Sequence, residues 1–306
     1  MDSADYIAAI EQLNSDFLEE RKSKSQKIGS AILKYYAAIS HLRFNKVFQL
    51  FRDNRAAKII AKKYTKEIKS PLISPKDLNF REKKIVVYTC VVGNYDQIPE
   101  PLLKYDNVSF VAFVDNPDIF RNKSGQWSYK SIPQKLEAMS PTLKNRYLKF
   151  HPLELFGDYE YSIYIDGNIR VVSDIRTLIQ NCGDKTGLAM HRHGARDCVY
   201  DEARVCLLYR RGSAKKIKEQ MAKYCSEGFP KNYGLNEANV IVADLKNNRS
   251  SNLLNEWWNE LLRTGSLRDQ LAWPYVLWKN ELTIDDVGCL GVDVYSNLKF
   301  QINKHN

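Results

Sequence analysis

A strand-like run of β-branched and aromatic residues ends in Asp166-Gly167-Asn168. The stretch is YSIYIDGNIRV, and it resumes with Ile-Arg-Val after the turn-forming residues. A carboxylate followed by glycine offers oxygen ligands and lets a phosphate or metal approach the backbone closely. Hard divalent cations take oxygen ligands and commonly keep substrate phosphates in their shell. Asp166 and Asn168 are therefore candidate ligands for Mg²⁺ or Mn²⁺ beside a diphosphate, and the alternative is a simple hairpin turn.

Two basic side chains lie shortly before that strand. Arg146 and Lys149, in NRYLKFHP, are three residues apart and share one face of a predicted helix. Guanidinium and ammonium groups form strong charge-assisted hydrogen bonds with phosphate. The spacing suits the binding of a diphosphate, although Lys149 equally fits a solvated basic face.

Histidine and carboxylate side chains cluster in AMHRHGARDCVYDEARVC. His191 and His193 alternate, so only one of them faces a cleft if this segment is a strand. Histidine can ligate a metal, bind phosphate or act as a base. We favour His193 for a role in the catalytic site because it lies nearer the carboxyl end of the strand. His191 is kept as a candidate for a further metal ligand. Glu202 either accepts a proton from an acceptor hydroxyl or pairs with Arg196 or Arg204.

Short β-rich runs alternate with segments of helical spacing from Lys83 onward. The β-rich runs are IVVYTCVV, VSFVAFVD, YSIYIDGNIRVV, GLAMHRH and ANVIVADL. This alternation predicts βαβ units and a largely parallel sheet flanked by helices. Ligands bind at the carboxyl ends of the strands in such sheets. The polar residues expected at those ends are Thr89 to Asp96, Asp115, and Asp166 to Asn168.

The first 80 residues are more basic than the rest of the chain. Between Arg21 and Lys69 there are 14 Lys or Arg against only two acidic residues, and apolar residues recur at helical spacing. We expect basic amphipathic helices over residues 1–80 and a second domain over residues 81–306. The helices pack on that domain, pair with a second copy in a homo-oligomer, or bind an anionic membrane surface. Nucleic acid is not an expected partner, because no recognised binding motif accompanies the charge.

Length and composition are those of a globular protein. The 306 residues are 44% hydrophobic and 27% charged, which suits one α/β domain with an appendage. No run of about 18 apolar residues occurs, and the N-terminus lacks a signal-peptide pattern, so we expect a cytoplasmic chain. The six cysteines have no CxxC pair, which indicates reduced thiols. GxSxG and HExxH are both missing, which argues against the common serine and zinc hydrolases.

Seven motifs in one order resemble glycosyltransferases of the GT-A fold. They are YTCVVGNYD, FVDN, NRYLKFHP, YSIYIDGNI, HRHGARDCVYDEA, QMAKY and RDQL. Residues 84–279 resemble, more specifically, a glycosyltransferase-like family first catalogued as a domain of unknown function. Its plant members are tied to the Golgi and cell-wall polysaccharide, and its bacterial members occur among capsule and lipopolysaccharide proteins. A looser similarity links the chain to the glycogenin-like family 8, with Asn168 in place of a second acidic residue and Ala238 in place of a glycine.

The resemblance implies a Rossmann-like GT-A fold with an N-terminal helical appendage, and a nucleotide-sugar donor, with UDP-sugar favoured. It implies that the first strand and its loop hold the nucleoside. The residues implied for donor binding are Thr89, Gly93, Tyr95, Asp96, Asp115, Arg146, Lys149, Asp166, Gly167 and Arg268, with Mn²⁺ or Mg²⁺ at Asp166 and Asn168. Tyr95 either stacks on the base or covers the edge of the sheet.

Asp269 and Gln270 correspond to an Asp-Gln pair that opens a helix beside the transferred sugar in the resembling enzymes. A carboxylate there stabilises oxocarbenium-like charge or orients the acceptor. The alternative for Asp269 is helix capping. Neighbouring tryptophans recur at helical spacing, so we expect them in the core rather than in a sugar platform. They are Trp257, Trp258, Trp273 and Trp278.

Three classes of function compete. The first is a hexosyltransferase-like enzyme that builds capsule- or lipopolysaccharide-type surface glycan, acts on a glycan or lipid-linked acceptor, and lies on the inner face of the plasma membrane. The second is a catalytically degenerate nucleotide-sugar-fold protein that binds or scaffolds, and Asn168 favours it. The third is an enzyme of lipid or phosphate-ester metabolism, such as a hydrolase. We favour the first.

Overall fold

The computed structural model describes residues 3–40, 44–68, 73, 75–93, 97–120 and 124–303. Its α-helices are α1 Ser3–Lys22, α2 Lys24–Ser40, α3 Phe44–Lys63, α4 Pro141–Phe150, α5 Pro152–Phe156, α6 Val199–Leu208, α7 Ala214–Ser226, α8 Asn248–Thr264 and α9 Asp269–Lys279. Its strands are β1 Ile85–Val91, β2 Val108–Val114, β3 Trp127–Ser131, β4 Tyr161–Ile165, β5 Ile169–Val171, β6 Leu188–Arg192, β7 Asn236–Asp244, β8 Gly288–Cys289 and β9 Phe300–Ile302. Short 3₁₀ helices cover Pro117–Phe120, Gln134–Leu136, Ile175–Asn181 and Ile284–Asp286.

Seven strands form one sheet in the order β3-β2-β1-β4-β7-β6-β8. The first four strands of this order run parallel, and β8 is parallel to β6. β7 is antiparallel to both of its neighbours, β4 and β6. The predicted α/β fold with a mostly parallel sheet is confirmed. Because β7 is reversed, its first residues lie at the edge where the parallel strands have their carboxyl ends.

The central strands are buried on both faces, which explains why they read as continuous apolar runs. All seven residues of β1 are buried. Tyr88 packs on one face of the sheet, in the same cluster as Trp257 and Trp273. Val87 packs on the opposite face, in the same cluster as Phe300. The tryptophans of α8 and the first of α9 thus belong to the core, as their spacing predicts.

Helix α4 begins and ends at clear sequence signals. The Ser140 hydroxyl accepts a hydrogen bond from the Leu143 amide, and Pro141 takes the first helical position. Both residue types are favoured at these positions. Pro152 prevents the helix from continuing past His151. This short helix packs on β1 and α8, which directs its basic residues toward the end of β4.

The N-terminal region is helical, and its first and third helices dock on the α/β domain. In α1, the buried Asn14 donates hydrogen bonds to the carbonyls of Leu298 and Phe300, at 2.8 and 3.0 Å. In α3, Ala56 and Ile60 pack against the domain in the same cluster as Val205. Helix α2 connects the two, and none of its side chains within the described set is buried. No helix in the described ranges is long and apolar enough to cross a bilayer.

We expect Asn14→Ala to lower the free energy of unfolding by about 1–3 kcal/mol, because it leaves two carbonyls beside β9 without their donor. Urea unfolding monitored by circular dichroism measures the change. Gln12→Ala is the matched control, since the Gln12 side chain bonds only to Asp16 on the exposed face of the same helix. Equal effects of the two substitutions would show that α1 is not held by Asn14.

Candidate active site

Two adjoining cavities open at the carboxyl end of the sheet. The first, of about 580 Å³, lies between the end of β1, the start of α4 and residues 265–268. The second, of about 440 Å³, lies between the end of β6, the start of β7 and the start of α9. Three side chains line both cavities: Arg146, Asp166 and Arg268. The two cavities therefore form one cleft whose middle carries most of the predicted ionic residues.

A buried ion cluster lies beneath the middle of the cleft. Lys149 Nζ is 2.8 Å from Asp269 Oδ2, and Arg146 Nε is 3.3 Å from the same oxygen. The side chain of Lys149 is 1% exposed, so the alternative of a solvated basic face is wrong. Burial alone would raise the pKa of Asp269, but the charges of Arg146, Lys149 and Arg268 hold it well below its usual value. Asp269 is thus a permanent anion that positions cations.

Helix capping does not explain Asp269. The first residue before α9 is Arg268, whose side chain makes no capping bond, and Asp269 lies within the helix. Trp257 donates its indole N–H to the Asp269 carbonyl at 2.9 Å, which ties the helix start to α8. The Asp269 carboxylate also accepts from the Gln270 amide at 3.2 Å. Both sequence candidates at this helix start line the second cavity.

Two arginines in the cleft each have one buried donor that no described residue satisfies. The Nε atoms of Arg146 and Arg268 are buried, and among the described residues neither has a hydrogen-bond acceptor. Arg146 Nε contacts Asp269 only as an ion pair, and its NH1 donates to Asn145 at 2.6 Å. A buried donor without a partner costs about 1–3 kcal/mol. The arrangement therefore suits an anionic ligand that supplies the missing acceptors.

Asp166 lies at the end of β4 and is bonded to its own strand. Its Oδ1 accepts a hydrogen bond from the Tyr164 hydroxyl at 3.0 Å and is 3.9 Å from Lys149 Nζ. The Asn145 side-chain amide donates to the same hydroxyl at 3.3 Å and to the Cys90 carbonyl at 2.8 Å. This network links the ends of β1 and β4 to α4. It places one carboxylate on the boundary of the two cavities.

His193, Arg196 and Glu202 meet in the second cavity. Arg196 Nε donates to Glu202 Oε2 at 2.6 Å, and His193 Nε2 lies 3.5 Å from that oxygen. Burial alone would raise the pKa of Glu202, but its bonds to His193 and Arg196 lower it to about 2. The structure thus shows the ion-pair alternative for Glu202, which is a poor proton acceptor. Its partner is Arg196, whereas Arg204 bonds to Asp201.

Several cleft residues are ones that the sequence analysis did not single out. Glu237 and Asn239 come from the first half of β7, and Asp293 and Tyr295 come from the loop before β9. Burial raises the pKa of Glu237. The rule that ligands lie at carboxyl ends of strands misses β7, because this strand is antiparallel and presents its first residues instead. The charged start of NEANVIVAD is the signal that would have found it.

Other predicted residues lie away from the cleft lining. The Asn168 amide donates to the Asn303 carbonyl at 3.0 Å. His191 is buried beside Asn297, at 2.9 Å, and burial lowers its pKa to about 3, so it is neutral. Thr89 is buried within β1, and Asp115 accepts from the Gly93 amide at 2.5 Å beside a separate cavity. Tyr95 and Asp96 lie outside the described residues.

The donor set does not fit a divalent cation held by the protein. Asp166 is a single carboxylate, with one oxygen engaged by Tyr164 and near Lys149. Asn168 and His191 bond elsewhere. Across the part of the chain that the structure describes, no three His, Cys, Asp or Glu side chains are grouped as metal ligands. Metal binding by Asp166 and Asn168, expected from the oxygen atoms of Asp-Gly-Asn and from the resemblance, stays a prediction.

A mostly parallel sheet with a polar cleft at the carboxyl ends of its strands defines an α/β protein whose ligand site is expected in that cleft. Residues 62–299 match the TOD1/MUCI70 glycosyltransferase-like domain, and the chain belongs to that family. The resemblance seen in the motifs is confirmed. No curated protein matches the sequence.

Solved structures similar to this chain are glycosyltransferases. The apo WbbM bifunctional glycosyltransferase is 13% identical, with a TM-score of 0.39 over 67% of this chain and 38% of that one. The mannosyltransferase Ktr4p from S. cerevisiae is 9% identical, with a TM-score of 0.36 over 74% of this chain and 75% of that one. The apo form of the glycosyltransferase GlyE in Streptococcus pneumoniae TIGR4 is 10% identical, with a TM-score of 0.36 over 68% of this chain and 45% of that one.

We expect Glu202→Gln to lower the free energy of unfolding at pH 7 by about 3 kcal/mol, because it removes the charge paired with Arg196. The folded pKa of about 2 is below the ordinary 4.5, so the ionised carboxylate stabilises the fold above pH 4.5. That contribution is lost as the pH falls from 4.5 toward 2. Urea unfolding at pH 7, 5 and 4 should therefore show a difference that narrows below pH 4.5.

Asp201→Asn is the control for this series, because Asp201 pairs with Arg204 on the exposed side of the same helix. It should cost about 0–1 kcal/mol. A Glu202→Gln effect that stayed constant down to pH 4 would contradict the assignment to the carboxylate charge.

Proposed function

We propose that this protein is a glycosyltransferase that moves a hexose from a nucleotide sugar to a glycan or lipid-linked acceptor. The observation that carries the proposal is the pair of unsatisfied arginine Nε donors on the boundary of the two cavities. A diphosphate supplies acceptors for both. Membership of the glycosyltransferase-like family supports the same reading.

The two cavities suit the two halves of a donor. The first cavity begins at the end of β1 and is lined by both apolar and polar groups, which suits a nucleoside. The second is lined by His193, Glu237, Asp293 and Tyr295, which suits sugar hydroxyls and the acceptor. The diphosphate then lies between them, against Arg146 and Arg268. UDP is the favoured nucleotide, from the resemblance.

The chain's own residues then have distinct roles. Arg146, Lys149 and Arg268 oppose the negative charge that develops on the leaving diphosphate. Asp269 fixes the positions of these cations and does not touch the sugar. The amide side chain of Gln270 and the ring of His193 bond to sugar or acceptor hydroxyls.

The first test is a thermal-shift titration with UDP, GDP, CDP and CMP. We expect one nucleoside diphosphate to raise the unfolding midpoint, with a stabilisation of about 2.7 kcal/mol at a hundred times its dissociation constant. The matching nucleoside without phosphates should give a much smaller shift. Arg146→Gln should remove the shift, whereas Arg204→Gln, outside the cleft, should leave it unchanged.

The outcomes separate the competing functions. A shift followed by release of the nucleoside diphosphate from the corresponding nucleotide sugar supports the transferase. Binding with no release and no transfer supports a degenerate binding or scaffold protein. No shift with any nucleotide in the panel contradicts the proposed donor site.

We also propose that the N-terminal helices dock the enzyme on the inner face of the plasma membrane, where lipid-linked acceptors for capsule- or lipopolysaccharide-type glycans lie. α2 projects from the domain with Ile28, Ile32 and Leu33 at 53, 62 and 68% exposure. Lys27 and Lys34 are exposed on the same helix. Exposed apolar side chains among lysines suit a surface of anionic headgroups. The strong excess of positive charge disfavours pairing of this surface with a second copy.

We expect the protein to co-sediment with vesicles that contain phosphatidylserine and not with phosphatidylcholine vesicles, and binding should weaken as salt is added. Ile32→Ser should reduce vesicle binding about tenfold, because it removes an isoleucine side chain that the bound protein would bury in the membrane surface. Ile119→Ser is the control, since Ile119 is similarly exposed, at 65%, on the α/β domain. Equal binding to both vesicle types would reject this docking.

A further inference from the structure

The electrostatic environment of Asp166 is unfavourable for a divalent cation. The buried Lys149 ammonium lies 3.9 Å from Asp166 Oδ1. A cation coordinated by this carboxylate would be a few ångströms from that ammonium. The Asp166 side chain is 39% exposed, so water in the cleft screens part of the repulsion between them, whereas the Lys149 side chain is 1% exposed and has little such screening. The Tyr164 hydroxyl bonded to the same oxygen further reduces the lone pairs left for a metal.

Asn168, the second candidate metal ligand, is engaged away from Asp166. Asn168 is 7% exposed and its side-chain amide donates to the Asn303 carbonyl. The Asn303 amide in turn donates to the Asn168 carbonyl at 2.9 Å. This pair of bonds joins the turn after β4 to the end of β9. Asn168 therefore has a structural role in the two-stranded sheet of β5 and β9.

Positive charge is already present where the diphosphate is proposed to bind. Three cations act on the single Asp269 carboxylate: Arg146, Lys149 and Arg268. One carboxylate cannot neutralise three cations, so the cluster has an excess of positive charge even with Asp166 nearby. The two orphan Nε donors belong to the same cluster. A divalent cation performs this neutralisation in sites that lack such side chains.

We propose that Arg146, Lys149 and Arg268 neutralise the diphosphate of the nucleotide donor and that donor binding needs no divalent cation. The inference rests on the proposed function, since it concerns the same ligand site. Arginine is well suited to this role, because its planar fork bonds two phosphate oxygens at once. Asp166 is then a residue that limits the positive charge of the site rather than a metal ligand.

The test is isothermal titration calorimetry with UDP, GDP and CDP, each in EDTA, in Mg²⁺ and in Mn²⁺. We expect one nucleotide to bind in EDTA with an affinity within about tenfold of that in either metal. Binding that is at least about tenfold tighter with a metal would overturn the inference and leave the proposed function standing. Binding of none of them in any condition would overturn both.

Two substitutions sharpen the result because metal coordination and side-chain neutralisation predict opposite changes. Asp166→Asn removes a negative charge beside the bound anion, so affinity should be unchanged or higher, in EDTA and in Mn²⁺ alike. A loss of affinity confined to Mn²⁺ would instead identify Asp166 as a metal ligand.

Arg268→Gln should weaken binding in EDTA about 10- to 100-fold, the loss expected for one charge-assisted hydrogen bond. Arg204→Gln makes the same chemical change outside the cleft and should have no effect. If Arg268→Gln lowers the midpoint of thermal unfolding, the titration is repeated with Arg268→Lys. Lysine keeps the positive charge but lacks the Nε donor. Full affinity in Arg268→Lys and in Arg268→Gln would remove Arg268 from the site and overturn the proposal.

Discussion

The buried ion pair between Lys149 and Asp269 is the interaction on which the cleft depends. It joins the end of α4 to the start of α9, and Arg146 makes a second contact with the same carboxylate. Breaking a buried pair by removing one partner typically costs 3–5 kcal/mol, because the other charge is left without compensation. The elements that carry the cleft are thus held together by charges that also line it.

The hydrophobic core supports this cluster from below. Trp257 stacks on Trp273 with ring centroids 4.5 Å apart, and its indole bonds to the Asp269 backbone. Trp273 donates in turn to Asn236 at the start of β7 at 3.0 Å. Packing of α8 and α9 on the sheet therefore fixes both the cation cluster and the acidic side of the cleft. The tryptophans influence the site by position and not by contact with a sugar.

The N-terminal helices stand apart from this construction. The family match begins at residue 62, near the end of α3, so α1 and α2 lie outside the matched residues. They are nevertheless fixed to the domain through Asn14 and the apolar contacts of α3. The boundary predicted at residue 80 remains a prediction, because the helices and the domain share these contacts.

Much of this protein was determined by local sequence. The apolar runs predicted the strands, Ser140 and Pro152 set the limits of α4, and the motifs indicated the family. Each of these signals is read from the types and order of residues along the chain. Tertiary structure alone decided which ionic residues meet. Lys149 reaches Asp269 across 120 positions, and Glu237 enters the cleft because β7 runs antiparallel. Long-range pairing depends on strand direction and helix packing, which no spacing along the chain records. For the same reason the turn of Asn168 toward Asn303 could not be read from its neighbours.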